Sequence, residues 1–143
     1  MAMVIRAAIA VLALAGLWDA LYFTFAYYGR VKRMRWVPAI LCARDGSNCV
    51  TVVQTPYARV FGPPNSLFGV AYYLAVIAWA LEPRLAPAWF LGALIAASAA
   101  SVLLAFYLIY ALVARLRTHC PLCYTAHAIN IALLAMLIMA ARR

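Results

Sequence analysis

Apolar residues in this chain come in long runs, interrupted by short polar or basic stretches. The runs cover residues 7–28, 66–81, 88–114 and 120–141. A helix needs roughly 20 apolar residues to cross about 30 Å of hydrocarbon, and three of the runs are that long. The second stops at Glu82-Pro83 and is short. It is expected to reach back through Asn65 or to be helped by local packing. Only helices and closed barrels satisfy their backbone in lipid, and no strand-like alternation repeats along the sequence. The pattern therefore predicts an all-α integral membrane protein. Residues 1–143 form a single domain of four transmembrane helices, with a long first loop that carries a short surface helix.

The first run could be mistaken for a cleaved signal, since Arg6 precedes it and small residues lie at 13–16. Signal cores are about 7–15 residues long. This run stays apolar through Tyr28, so a retained helix is expected. The loop 29–65 is too long for a turn, and such loops are usually functional or disordered. Within it, residues 50–60 mix apolar side chains with Gln54, Thr55 and Arg59, which suits a short amphipathic helix on the membrane surface. Pro63-Pro64 would end that helix before the second crossing. The connections at 82–87 and 115–119 are short.

Composition supports the same class. Of the 143 residues, 70% are hydrophobic and 10% charged, against about half and about a quarter in soluble domains. The net charge of +9 does not point to nucleic acid. The basic residues fall between apolar runs, where they anchor helices at lipid headgroups.

The chemistry lies in four cysteines. Cys120-Pro-Leu-Cys123 opens the fourth crossing, while Cys42 and Cys49 lie in the long loop. A helix start carries free N–H groups and a partial positive charge, which lowers a thiol pKa and favours the reactive thiolate. Pro121 suits the first helical turn, and Arg115, Arg117 and His119 add positive charge nearby. In a four-crossing bundle, the first loop and the start of the fourth crossing share one membrane face. A mobile loop pair then sits beside an anchored pair, and direct sulfur contact is what disulfide exchange requires. This arrangement suits a two-step thiol–disulfide relay. Two blander readings compete with it: a four-cysteine structural zinc site, and disulfides that merely staple the chain. No metal is expected.

These residues resemble the vitamin K epoxide reductase family. The similarity runs from Cys49 through Phe61-Gly-Pro-Pro-Asn-Ser-Leu-Phe-Gly69, and through Cys120-Pro-Leu-Cys-Tyr-Thr-Ala-His-Ala-Ile-Asn130. Crossing order and loop-cysteine placement agree with it too. The resemblance implies a four-helix bundle around a quinone pocket. It further implies an enzyme that forms disulfides in a thioredoxin-like partner and reduces a quinone of the ubiquinone or menaquinone type. Epoxide reduction is the alternative direction. By position, Cys42 would exchange with the partner's thiol, Cys49 would pass electrons to Cys120, and Cys123 would face the quinone. Asn65 matches the asparagine that hydrogen-bonds a quinone carbonyl, and Thr55 matches a hydroxyl residue of the surface helix. Phe61, Phe68, Tyr72 and Tyr73 are candidates for the pocket wall, the alternative being ordinary packing or an interfacial belt, the commoner place for an aromatic on a crossing.

There are departures from the family pattern. His127 stands where many members have a Tyr that donates to the other quinone oxygen; imidazole can donate as well, but the alternative is a packed histidine bonded to a neighbour. Many prokaryotic members carry a fused thioredoxin-like domain, whereas here that partner is expected to be a separate protein. Asp19 lies deep in the first crossing, where acids are costly. A protonated acid bonded to Ser98, Ser101 or another helix is the favoured expectation over a proton route to quinone.

Orientation follows from basic residues. Arg30, Lys32, Arg33, Arg35, Arg44, Arg59, Arg115 and Arg117 lie on the cysteine face, against Arg6, Arg84, Arg142 and Arg143 on the other. The positive-inside rule puts the cysteines in the cytoplasm, inverted relative to the arrangement that the family resemblance implies. Intracellular disulfides are well known in hyperthermophiles.

Overall fold

The structure is a computed structural model that describes residues 2–30 and 49–142. Among them, every regular element is helical. Helix α1 spans Ala2–Tyr27, a short α2 spans Cys49–Val53, α3 spans Asn65–Leu81, α4 spans Ala88–Tyr110 and α5 spans Pro121–Ala141. Helix α1, the path from α4 through Leu116, and α5 are each long and apolar enough to cross a membrane; α3 is apolar but shorter, at 17 residues. Leu103, Phe106 and Trp89 point outward, each more than 60% exposed. Large apolar side chains exposed along a helix this apolar suit contact with lipid or protein rather than with water.

Neighbouring long helices run antiparallel. Helix α1 packs most extensively on α3 and next on α5, and α4 packs on α5. Contacts between α3 and α4 are sparse, and it is between these two that a cavity opens. The α1–α3 seam is tight because Gly16 lets the Tyr73 ring lie against the α1 backbone. Thr24 adds a hydrogen bond to Ser66 across the same seam. At the far end, Arg6 of α1 donates from Nε to the Ala80 carbonyl and from Nη2 to the Leu81 carbonyl, both at 2.9 Å. The last carbonyls of a helix lack partners and carry negative partial charge, so this guanidinium caps α3.

Several expectations need correcting. Helix α1 begins at Ala2, ahead of the expected residue 7. Helix α3 does reach back to Asn65. The surface helix expected over 50–60 is not continuous. It divides into α2 and a 3-10 turn at Pro56–Ala58, because Pro56 lacks an N–H and disfavours helical geometry at Thr55. Helix α4 continues as a π-helical segment, Ala111–Leu116, closed by Arg117 in the left-handed region at φ 50°. The connection to α5 is thereby shorter than expected.

Candidate active site

Two sulfur-bearing elements meet at the end of the bundle where α1 and α4 finish and α3 and α5 begin. Cys120 is the N-cap of α5, with Pro121 in its first turn. Its Sγ accepts the Cys123 backbone N–H at 3.2 Å, taking up one of the donors that a helix start leaves open. Cys120 and Cys123 are disulfide-bonded, with Cα atoms 5.3 Å apart. Cys120 is completely buried and Cys123 half-buried. Cys49, the first residue of α2, is also disulfide-bonded, and its Sγ lies 3.6 Å from the Cys120 Sγ. Tyr22, Phe23, Leu112 and Leu122 enclose this sulfur pair.

The loop pair was expected to be mobile. Its described member is instead anchored, because Cys49 is 2% exposed and α2 packs on α1. Gln54 reinforces the anchor by donating to the Tyr27 carbonyl at 3.0 Å, which caps the end of α1. Arg59 adds a contact with the Tyr27 ring. Cys42 lies outside the described residues. Of the basic groups expected to support the thiolate, His119 pairs with the Tyr124 hydroxyl at 3.3 Å.

A cavity of about 510 Å³ lies between α3 and α4 and reaches α1 and α5. Small residues of α4, among them Ala97, Ala100 and Ser101, leave this space open. Cys123, His127 and Asn130 follow one another along its wall, at the spacing that shares one helix face. Phe61, Phe68, Tyr72 and Tyr73, the four expected aromatics, all line it. Tyr72 is hydrogen-bonded to Ser98.

The polar residues proposed from sequence are at this cavity as well. Asn65 accepts the Val60 N–H at 3.1 Å and donates to the Tyr57 carbonyl at 3.0 Å. It thus organises the turn before α3, and the second hydrogen of its amide remains for a ligand. Thr55 donates to the Val52 carbonyl at 2.7 Å, leaving lone pairs on its oxygen. His127 lines the cavity and makes no hydrogen bond to a described residue. Asp19 also lines the cavity, but the bond to Ser98 or Ser101 is absent: its Oδ1 has no hydrogen-bond partner, and Ser98 is taken by Tyr72. Sequence reasoning assigned no role to Asn130, which accepts from the Tyr73 hydroxyl at 2.8 Å. A carboxamide within an apolar run was the available signal.

Ligand pockets of this size, roughly 300–1,000 Å³, are typically apolar with a few placed polar groups. A flat ring with two carbonyl oxygens fits such a wall. Aromatic faces flank it, and Asn65 and His127 offer donors beside the half-buried Cys123. The sequence model of the Vitamin K epoxide reductase family matches residues 7–138 of this chain.

Proposed function

The chain belongs to the vitamin K epoxide reductase family, and from that premise we propose that it is a membrane thiol:quinone oxidoreductase that makes disulfides in a separate thioredoxin-like protein. In this reading it crosses the bilayer four times, α3 being the second crossing. The observation that carries the reading is the 3.6 Å approach of the Cys49 and Cys120 sulfurs beside a cavity that Cys123 lines.

The chemistry balances as two thiols plus quinone giving one disulfide plus quinol. A partner thiolate attacks the loop disulfide of Cys42 and Cys49, and the partner's second thiol then closes its own disulfide, leaving the loop pair reduced. The Cys49 thiolate attacks Cys120 Sγ, forming the Cys49–Cys120 bond and breaking Cys120–Cys123. Cys123 leaves with the electron pair, as a thiolate at the cavity wall. Cys42 then displaces Cys120 from Cys49, restoring the loop disulfide. Cys123 and Cys120 rejoin as the electrons pass on. When bound, the quinone supplies the oxidising power; about 30 mV in a two-electron couple corresponds to 1.4 kcal/mol. Asn65 and His127 orient the ring by hydrogen bonds to its two oxygens, and Thr55 and Phe68 complete the wall around it.

The direct test combines purified chain in lipid nanodiscs, reduced thioredoxin and decylubiquinone. Thioredoxin thiols should be lost only when decylubiquinone is present, with one quinol formed per disulfide. Stoichiometric zinc with no quinol formation would overturn the reading in favour of a metal site.

For orientation, eight of the twelve Lys and Arg residues fall on the cysteine face, which supports an active site in the cytoplasm. A compartment-sensitive reporter fused after Arg143 should then report from outside. Cytoplasmic signal from that fusion would reverse the assignment.

A further inference from the structure

The relay described so far moves electrons, but quinone reduction also needs two protons delivered into an apolar cavity. Among the described residues, two buried side-chain atoms lack a hydrogen-bond partner: Asp19 Oδ1 and the Tyr22 hydroxyl. Both residues are at least nine-tenths buried, at 4% exposure each. Buried polar groups are nearly always paired, so two orphans in one place call for an explanation in function, water or ligand.

Their placement supplies one. Asp19 and Tyr22 are three residues apart on α1, a spacing that puts side chains on one face as neighbours. Asp19 lines the cavity, while Tyr22 belongs to the buried cluster that holds Cys49 and Cys120. One turn of α1 thus carries a carboxyl at the cavity and an aromatic ring in the cluster around the sulfurs, whose hydroxyl is hydrogen-bonded to none of them. The facing helices do not occupy Asp19. From α3, Tyr73 donates to Asn130 of α5, and Tyr72 is bonded to Ser98 of α4. His127 of α5 and Tyr57, the other titratable side chains on the cavity wall, make no bond to Asp19.

We propose that Asp19 is a proton donor to a quinone oxygen in this cavity. The proposal rests on the thiol:quinone reading. In the step, the Asp19 O–H bond breaks as an O–H bond forms on the quinone oxygen. Asp19 is reprotonated by one of the two protons that the thiols release when the disulfide closes. Asp19 thereby carries one of the two thiol protons that end on quinol. The other enters at the Cys123 end of the cavity.

The test uses the full chain in nanodiscs, with dithiothreitol as reductant and decylubiquinone as acceptor. General acid–base groups contribute about 10²–10⁴-fold, so Asp19→Asn should lower kcat at least about 10²-fold. Single-turnover reduction of the Cys120–Cys123 disulfide by dithiothreitol, without quinone, should keep its wild-type rate. Asp19→Glu should recover part of kcat.

Infrared difference spectra of the wild type give a readout that needs no variant to fold. The chain has three acidic residues, Asp19, Asp45 and Glu82, so a carboxyl C=O band that shifts on adding decylubiquinone is readily assigned, and Asp19→Glu should move it. Wild-type kcat in Asp19→Asn overturns the proposal. So does a wild-type spectrum in which no carboxyl band responds to decylubiquinone. If the wild type itself forms no quinol, the thiol:quinone reading fails instead.

Discussion

Cys123→Ala should abolish quinone-dependent turnover, a loss on the order of 10³-fold or more, as expected for removing a reacting group. The reason is positional. Cys49 touches Cys120, and Cys123 is the cysteine of the disulfide that lines the cavity. Without Cys123, Cys120 is left as a thiol in contact with a disulfide-bonded Cys49. Its thiolate then attacks Cys49 Sγ, forming a Cys49–Cys120 bond and releasing the former partner of Cys49 as a thiolate. Alkylation, digestion and mass spectrometry should find that cross-link as the main species in Cys123→Ala. Serine or alanine at Cys49 should remove it. Turnover that survives in Cys123→Ala, or a cross-link that bypasses Cys49, would break the proposed order of transfer.

A second large effect is expected far from the sulfurs. A Cβ placed on Gly16 would collide with the Tyr73 ring. Overfilling a packed seam costs about 1–3 kcal/mol, so Gly16→Val should destabilise the bundle by at least that much. Displacing the ring also breaks the Tyr73–Asn130 hydrogen bond, worth about 1 kcal/mol. Tyr73 lines the cavity, so the KM for decylubiquinone should rise as well. Tyr73→Phe isolates the hydrogen bond, and should cost only the smaller amount. Thermal unfolding in detergent, paired with KM measurements, separates the two. A Gly16→Val chain with the wild-type melting temperature would show that α1 and α3 are not locked at this point.

The contrast between these two predictions shows how legible the protein is. Apolar runs announce α1, α4 and α5, because lipid imposes a length on any helix that crosses it. The Cys120-Pro-Leu-Cys123 spacing placed a reactive pair at a helix start, where Cys120 now caps α5. Aromatics 61, 68, 72 and 73, expected at a pocket wall, line the cavity. Other features depend on distant partners. Gly16 has meaning only because Tyr73 arrives from another helix. The orphaned Asp19 could not be foreseen, since its expected partner Ser98 binds Tyr72 instead. Cys49 looked mobile because a polar loop surrounds it in sequence, whereas packing against Tyr22 and Phe23 fixes it. The π-helical Ala111–Leu116 carries no composition signal, being as apolar as the helix before it.

The guanidinium of Arg6 at the end of α3 has a bearing on the surrounding bilayer. Seventeen residues rise about 26 Å, less than the roughly 30 Å thickness of a typical hydrocarbon layer. Arg6 must keep its charge near water while holding the Ala80 and Leu81 carbonyls. As a crossing, α3 thus presents lipid with a low wall beside the taller α1. Acyl chains there have to compress, or headgroups dip inward, at a fraction of a kcal/mol per ångström. In the four-crossing reading the bundle is matched to thin membranes, and thickening the bilayer should strain its shortest helix first.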